Sequence, residues 1–343
     1  VPLGLELEPN DESAQPISSG EIVTGSLWSA SDKDYYSIVT NSTGILEIEF
    51  ETDTSQYDGY DFYIIDEEDN FLSGGNCSRD CVDSTKISTV AVAAAGTYRI
   101  FIRSESSYYG PAGTYSITLT FTAGTTSGLE LEPNDEIAQV LVSGETIVGS
   151  TWGPSDRDYY SITTNSSATL TLDFRTELSQ SEGYQFYVID QYSNIFASDI
   201  CDLSCADSPK TLKVGLANAG TYRIYVRSES YNYSAAQGNY TMTVELVNGA
   251  SGFELEPNNG TEASGSNTPQ PISSGESIIG SLSGLSDYDY YAITTESSGT
   301  LTVNILTDAS NTDTYKYSVL DDAGNTLVVG YCHQSCDRTD DSF

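Results

Sequence analysis

The motif GLELEPNDE occupies residues 4–12, recurs unchanged at 128–136, and returns as GFELEPNNG at 252–260. Each copy is followed by a Gly-Ser step and then by SDKDYY, SDRDYY or SDYDYY. Successive copies begin 124 residues apart, so whole domains are duplicated. The pattern predicts three tandem repeats, at 1–127, 128–251 and 252–343. An active site does not need three copies, which favours a long, multivalent or metal-stiffened molecule.

Period-two alternation of apolar and polar residues predicts β-strands throughout each repeat. In residues 44–52, for example, Leu46, Ile48 and Phe50 alternate with glutamates, and residues 168–176 repeat the pattern. Eight such strands, separated by Gly, Asn, Asp and Ser clusters, predict an all-β fold of tandem jelly-roll-type antiparallel β-sandwiches. The strands predicted in the first repeat lie at 21–27, 34–40, 44–52, 60–66, 70–73, 86–92, 96–104 and 113–122.

The chain is strongly acidic, with 50 Asp and Glu against 13 Lys and Arg and a net charge of −37. Nucleic acid and anionic membranes are therefore unfavourable partners, because both repel this charge. Two explanations remain open and are compatible. The charge keeps an exposed surface hydrated, or part of it binds divalent cations.

The repeated acidic motifs predict one calcium site in each repeat. Glutamates two residues apart on an extended segment point the same way, and the later DxD pair does so too. Six oxygen donors suit calcium, which takes six to eight oxygens, better than magnesium, which demands a tighter octahedron. The predicted ligands are Glu6, Glu8, Asn10, Asp11, Asp32 and Asp34; Glu130, Glu132, Asn134, Asp135, Asp156 and Asp158; and Glu254, Glu256, Asn258, Asp287 and Asp289.

The third site is predicted to be the weakest. Asn259 replaces the last acid of the first segment, and seven additional residues precede the DxD pair. The alternative for all three motifs is that the acids are only solvated surface and that DxDYY is a turn followed by a strand.

The six cysteines form one CxxxC pair in each repeat. An even count and regular pairing predict local disulfides in an oxidising compartment. Zinc is disfavoured because two thiolates would leave a tetrahedral site half empty. A redox-active CxxxC is the alternative. The predicted bridges are Cys77–Cys81, Cys201–Cys205 and Cys332–Cys336.

The order of these motifs resembles the bacterial pre-peptidase C-terminal domain family, and the collagen-binding domains of secreted bacterial collagenases are close relatives of that family. The resemblance rests on ExEPND, the Gly-Ser step, SDxDYY and a late GTYxI strand. It covers repeats one and two and the first two-thirds of repeat three. It implies a secreted jelly-roll sandwich attached to larger proteins, with calcium held between the acidic N-terminal segment and a loop. The CxxxC pair is not carried over from the family.

The third repeat ends early by this alignment, because Phe343 corresponds to Leu212 of the second repeat. We expect either a longer natural chain or a neighbouring subunit that supplies the missing strands.

No stretch approaches the about 20 apolar residues of a membrane span. Together with the cysteine pattern, this predicts an extracellular or cell-surface protein whose leader peptide has been removed.

Two functions are compatible with these observations. The first is a non-catalytic structural protein, a calcium-stiffened array that builds a fibre, appendage or stalk with other copies of itself or with neighbouring subunits. The alternative is a tandem binding module for collagen-like protein or polysaccharide within a larger secreted hydrolase or adhesin. With His333 as the one histidine, no Ser-His-Asp arrangement is possible, and we expect no enzyme activity.

Tyrosines in two polar loops are candidate contacts for a polymer or partner, since exposed tyrosine offers a large contact area at low entropy cost. Their alternative role is packing against the neighbouring repeat. These residues are Tyr108, Tyr109, Tyr231 and Tyr233.

Overall fold

The computed structural model describes twelve stretches of the chain: 3–53, 59–77, 84–105, 113–152, 156–176, 183–201, 205, 208–228, 238–258, 268–282, 287–306 and 315–332. The chain divides into two compact units, Val1–Pro257 with Ile278–Leu285 and Asn258–Ser277 with Ser286–Phe343. The predicted boundaries between repeats are not tested by this division and stay predictions. Among the described residues, no helix is long and apolar enough to cross a membrane.

The described part of the first repeat contains ten strands in two sheets. They are β1 (Leu3–Leu5), β2 (Gln15–Pro16), β3 (Glu21–Gly25), β4 (Lys33–Thr40), β5 (Gly44–Thr52), β6 (Tyr60–Ile65), β7 (Phe71–Cys77), β8 (Lys86–Val92), β9 (Gly96–Ser104) and β10 (Tyr115–Ala123). One sheet has the order β1-β3-β10-β5-β8 and the other β2-β4-β9-β6-β7. Most consecutive long strands lie in opposite sheets, as in a jelly roll, and β6 and β7 form a hairpin within one sheet. All eight predicted strands are present, with small differences at their ends.

The second repeat builds the same two sheets. Its strands are β11 (Leu131–Glu132), β12 (Gln139–Val140), β13 (Glu145–Thr151), β14 (Arg157–Thr164), β15 (Ala168–Thr176), β16 (Tyr184–Ile189), β17 (Ile195–Cys201), β18 (Lys210–Leu216), β19 (Gly220–Ser228) and β20 (Gly238–Asn248). The orders are β13-β20-β15-β18 and β12-β14-β19-β16-β17. The prediction of an all-β sandwich fold is confirmed.

Each of the two sandwiches has a separate hydrophobic core. The first core draws its buried residues from Ile17 to Leu119, and the second from Leu141 to Val244. Within β5 and β15 every second side chain is buried, as the alternation predicts. Phe174 stacks across the second sandwich on Phe186, with ring centroids 4.7 Å apart. Each core is therefore completed by residues of a single repeat.

The two sandwiches are joined by a strand that leaves its own repeat. β11 pairs in parallel with the edge strand β8 of the first repeat, with Leu131 opposite Ala91 and Glu132 opposite Val92. β21 (Leu255–Glu256) pairs in the same way with β18. The start of a repeat thus becomes the last strand of the preceding sheet.

The second unit has two small sheets. In one, β22 (Gln270–Pro271) pairs with β23 (Tyr291–Ala292), and in the other β24 (Tyr315–Leu320) pairs with β25 (Thr326–Cys332). Leu301, Val303 and Ile305 are only half-buried, whereas the corresponding residues of β15 are fully buried. The third repeat has an incompletely covered core in this structure.

The structure contains a disulfide between Cys201 and Cys205, whose Cα atoms are 5.5 Å apart. Cys77 and Cys332 are also disulfide-bonded. Their predicted partners Cys81 and Cys336 lie outside the described residues, so these two pairings stay predictions.

Phe174→Ala should strongly destabilise the second sandwich, because the ring is fully buried between Phe186 and Tyr240. Truncating such a phenylalanine costs about 3–5 kcal/mol of unfolding free energy. Urea denaturation followed by tyrosine fluorescence measures the loss. Ile137→Ala, at a highly exposed position, is the control and should change stability by less than about 0.5 kcal/mol. Equal effects of the two variants would contradict the assignment of the core.

Candidate metal centre

The acidic motif of the second repeat lies where the chain passes from one sheet to the next. Glu130 N donates to Val148 O of its own sandwich, at 2.9 Å. Two residues later, Ala93 N of the first repeat donates to Glu132 O, at 3.1 Å. The two glutamates are therefore positioned by the edges of two different sheets. An extended segment presents both side chains on the same side.

Three carboxylates of this repeat form a compact group. Glu130, Glu132 and Asp158 each offer an oxygen, and these oxygens all lie within 4.8 Å of one another. All three residues are buried, and Asp158 is 0% exposed. Asp158 comes from β14, so the group combines the N-terminal motif with the DxDYY strand, as the sequence predicts.

The hydrogen bonds of this group leave some of its oxygens unsatisfied. Glu132 Oε1, Asn134 Oδ1 and Asp158 Oδ1 are buried and have no hydrogen-bond partner within the described part of the chain. A carboxylate or amide oxygen accepts but cannot donate, so neighbouring acceptors cannot satisfy one another. An unsatisfied buried acceptor costs about 1–3 kcal/mol. A cation is a ligand that satisfies several such oxygens at once.

Other oxygens of the group accept hydrogen bonds. Glu130 accepts hydrogen bonds from the Tyr160 hydroxyl at 2.5 Å, from Asn134 Nδ2 at 2.8 Å and from Ser150 N at 2.8 Å. The Tyr240 hydroxyl donates to Asp158 Oδ2 at 2.6 Å. These contacts engage both oxygens of Glu130 and one oxygen of Asp158, and they turn the amide nitrogen of Asn134 toward Glu130.

Glycine is required beside this tyrosine pair. A Cβ at Gly149 would lie 2.5 Å from the Tyr240 hydroxyl and 2.9 Å from the Tyr160 hydroxyl. The glycine of the Gly-Ser step therefore makes room for the two rings. Gly25 meets Tyr36 and Tyr115 in the same way in the first repeat.

The remaining predicted ligands of the second repeat lie beside the group and also bind loop amides. Asp156 Oδ2 accepts from Trp152 N, and Asp135 Oδ1 accepts from Arg157 N at 2.8 Å. The charges of Asp156 and Asp135 both raise the pKa of Glu132. All five carboxyl groups thus contribute to one negative region.

Burial raises the pKa values of these carboxyl groups. The pKa values of Glu132, Asp156 and Asp158 are well above their usual range, first because burial disfavours the charged form and then because neighbouring carboxylates repel it. Burial also raises the pKa of Glu130. Without a cation, the folded protein therefore retains protons here that the unfolded chain releases.

The first repeat carries the same arrangement in a more open form. Glu6, Glu8 and Asp34 offer oxygens within 4.8 Å of one another. Tyr115 donates to Asp34 Oδ2 at 2.5 Å, and Asn10 Oδ1 and Asp34 Oδ1 have no hydrogen-bond partner among the described residues. Burial raises the pKa of Asp34 to about 9. Glu8 is exposed here, whereas Glu132 is buried under the preceding repeat.

Asp11 and Asp32 of the first repeat correspond to Asp135 and Asp156. Asp11 Oδ1 accepts from Lys33 N at 3.0 Å, and Asp32 Oδ2 accepts from Trp28 N at 2.5 Å. Partial burial raises the pKa of Glu8, and the charges of Asp32 and Asp11 raise it further. In each of the first two repeats, the remaining predicted residues thus lie beside the group of three carboxylates, and their role as calcium ligands stays a prediction.

The third predicted set is divided between the two units. Glu254 and Glu256 belong to the first unit, and Asn258, Asp287 and Asp289 belong to the second. Glu254 Oε2 accepts from Ser281 N at 2.9 Å, which matches Glu130 and Ser150. A third calcium site stays a prediction.

The tyrosine pair of this centre was not predicted from the sequence. Tyr36 and Tyr160 are the second tyrosines of the DxDYY motif. Tyr115 begins β10, and Tyr240 is the third residue of β20. The sequence signal for this pair was a tyrosine that recurs near the start of the last strand in both repeats. The loop tyrosines Tyr108, Tyr109, Tyr231 and Tyr233 lie outside the described residues.

No protein-family model and no curated protein sequence matches this chain. Among solved structures, the chain is similar to the pre-peptidase C-terminal domain of a collagenase from Bacillus anthracis. That match has 20% identity and a TM-score of 0.27, and covers 32% of this chain and 96% of that domain.

Two further matches cover more of this chain. One is tripeptidyl peptidase 2, with 10% identity and a TM-score of 0.28, covering 68% of this chain and only 24% of that protein. The other is a CBM22-1–CBM22-2 tandem domain of Xyn10C from Paenibacillus barcinonensis, with 8% identity and a TM-score of 0.22, covering 62% of this chain and 82% of that structure.

The raised pKa values predict how pH acts on the metal-free protein. A folded-state pKa above the unfolded value stabilises the fold at low pH, and this stabilisation is lost as pH rises from about 4 through the folded pKa. Each retained proton contributes about 1.4 kcal/mol per pH unit. In excess chelator, the urea midpoint should therefore fall between pH 5 and pH 9, and saturating calcium should reduce the fall.

Asp158→Asn tests the source of this dependence, because it removes one buried charge while keeping the shape. The variant should show a shallower fall in chelator than the parent chain. The same slope in the parent chain with chelator and with calcium would contradict the prediction.

Proposed function

We propose that this chain is a non-catalytic, extracellular structural protein whose tandem β-sandwich repeats are joined and stiffened by calcium. The observation that carries the proposal is the set of buried, unsatisfied oxygens of Glu132, Asn134 and Asp158. They lie where β11 joins the sheet of the preceding repeat. A cation bound there would hold together a segment that both repeats share.

The donor set supports calcium as the cation. Every candidate ligand is a carboxylate or amide oxygen, and these are hard ligands typical of calcium and magnesium. Five carboxylates with two oxygens each, together with the Asn134 amide oxygen, offer more than the six to eight oxygens that calcium takes, and some of them also accept hydrogen bonds from tyrosine and backbone donors. Such a crowded and irregular set suits the flexible coordination of calcium better than the strict octahedron of magnesium.

Secretion and membership of the pre-peptidase C-terminal domain family are parts of the same proposal. Disulfide-bonded Cys77, Cys201 and Cys332 support an oxidising compartment. The family assignment is supported by the sequence motifs, whose acidic residues come together in both complete repeats. Other copies of the chain or neighbouring subunits are the partners in this proposal.

A tandem binding module is the second candidate, and a row of aromatic side chains on the outer face of the second repeat favours it. Tyr225 stacks on Tyr159 and Tyr187, with ring centroids 4.8 Å and 5.4 Å apart. The Arg227 guanidinium lies 5.5 Å from the Tyr187 ring. A stacked row of this kind suits a flat polymer such as a polysaccharide or a collagen-like protein. Tyr225→Ala should abolish such binding without affecting calcium stabilisation.

Calcium should raise the melting temperature of the protein, and chelator should lower it. Ligand that binds only the folded state at 100 times its dissociation constant contributes about 2.7 kcal/mol per site. Scanning calorimetry with calcium, magnesium and excess chelator measures the effect. The rise should be smaller with magnesium than with calcium at equal concentration.

Glu132→Gln should remove most of the calcium effect contributed by the second repeat, because it eliminates a charged ligand at the junction. Glu136→Gln is the matched control, since Glu136 is exposed and outside the group. Small-angle scattering of the same samples should show a broader range of shapes in chelator. A melting temperature that does not respond to calcium would contradict the proposed function.

A further inference from the structure

The second repeat carries a group of exposed apolar side chains that the corresponding segments of the other two repeats lack. Ile137, Val140 and Val142 lie on and beside β12, and they are 81%, 77% and 70% exposed. Exposed apolar side chains that cluster in this way mark contact surfaces in soluble proteins. These three residues are called the β12 patch below.

The fold of a repeat does not require the β12 patch. The residues at the same positions are Ser13, Pro16 and Ser18 in the first repeat and Thr268, Pro271 and Ser273 in the third. The backbone contact beside them is nevertheless the same in each repeat. Leu141 N donates to Ser161 O at 2.8 Å, and the equivalent bonds are 2.9 Å long in the other two repeats. The apolar side chains therefore point to a contact that the second repeat alone makes.

The backbone of β12 is open on its outer side. Within the described part of the chain β12 pairs only with β14, and it stands at the end of the order β12-β14-β19-β16-β17. Because Leu141 N faces β14, the N–H and C=O of the preceding residue, Val140, point away from the sheet. An edge of this kind is a template for a further strand.

Proline closes this edge in the first and third repeats. Pro16 and Pro271 stand where the second repeat has Val140, and they have no backbone N–H to offer to an added strand. Val140 provides that donor, and its β-branched side chain favours strand pairing. The second repeat thus combines an open edge with apolar side chains, where the other two repeats are blocked and more polar.

We propose that the β12 patch binds the same patch of a second copy of this chain, as an antiparallel pair of edge strands related by a two-fold axis. The two Val140 residues lie opposite each other, and each donates its N–H to the C=O of the other. The contact is isologous, so it closes at a dimer. It goes beyond the tandem array proposed above, because it joins two chains side by side.

The distribution of charge favours a second copy as the occupant. Residues 137–143 contain no charged side chain, so the paired edges bring no two acidic groups face to face. For the same reason a basic partner strand would find no carboxylate to pair with along this edge. One residue supplies both the donor and the acceptor, which makes the edge complementary to itself.

The dimer should be weak. Three side chains from each copy bury less than the about 1,200 Å² at the low end of specific interfaces. Each copy also carries a net charge of −37, and this long-range repulsion opposes association. Because salt screens the repulsion, we expect added salt to strengthen the dimer.

Replacing the patch by the residues of the first repeat tests the contact in the intact chain. Ile137→Ser, Val140→Pro and Val142→Ser together introduce residues that the same segment of the first repeat already accommodates. Sedimentation equilibrium up to ~1 mM should show monomer and dimer for the parent chain and monomer for this triple variant. The parent dimer should become tighter when sodium chloride is raised from ~0.15 M to ~0.5 M.

Two single variants separate strand pairing from apolar contact. Val140→Pro should weaken the dimer at least about tenfold, because each dimer loses two hydrogen bonds. Val140→Thr keeps the N–H and the β-branched shape, and it should weaken the dimer less. Val39→Ala, which shortens an exposed side chain elsewhere, is the control and should associate like the parent chain. Hydrogen exchange at the Val140 amide should slow as the parent chain is concentrated.

Several outcomes would overturn the proposal. A parent chain that is monomeric at ~1 mM, or a triple variant that dimerises like the parent, excludes the β12 patch as the contact. A Val140→Pro variant that dimerises like the parent excludes strand pairing, and a dimer that salt weakens indicates attraction between opposite charges instead. The patch lies outside the group of carboxylates, so calcium should stabilise the triple variant as it stabilises the parent. Dimerisation and calcium stabilisation can therefore fail separately.

Discussion

A buried group of oxygen acceptors without enough donors is the constraint on which the rest of this structure depends. In the second repeat, Glu132, Asn134 and Asp158 each carry a buried oxygen that has no hydrogen-bond partner among the described residues. Burial of like charges without a counterion is costly, so such a region is stable only when it is protonated or when it binds a cation. Because Glu132 is also part of β11, that condition bears directly on the contact between two repeats.

The tyrosine pair explains how the fold tolerates this group. Tyr160 and Tyr240 direct their hydroxyls at Glu130 and Asp158, and their rings belong to the hydrophobic core. The same two residues therefore link core packing to the geometry of the carboxylates. Gly149 belongs to this arrangement because any side chain there would collide with both hydroxyls.

Local sequence patterns predicted the strands and the acidic residues that come together. They did not predict that the first strand of one repeat joins the sheet of the preceding repeat. Alternation along residues 44–52 reports which side chains are buried, and the jelly-roll order follows from the number of strands. The alternation does not indicate that Glu132 pairs with β8 of the preceding repeat. That pairing joins residues about forty positions apart, and no local sequence pattern marks it. The role of Tyr115 and Tyr240 was missed for the same reason, since each looks like an ordinary core residue of a strand.

The difference between the first two copies of the motif shows that burial here depends on the neighbour. Glu8 and Trp28 are exposed, while the equivalent Glu132 and Trp152 are covered by the preceding repeat. Electrostatic attraction to a cation is stronger where water is excluded, so docking of a repeat would strengthen cation binding at the covered motif. Linkage then requires that a bound cation strengthen docking by the same factor. Strand addition, tryptophan packing and cation binding at one junction would therefore act as a single coupled step.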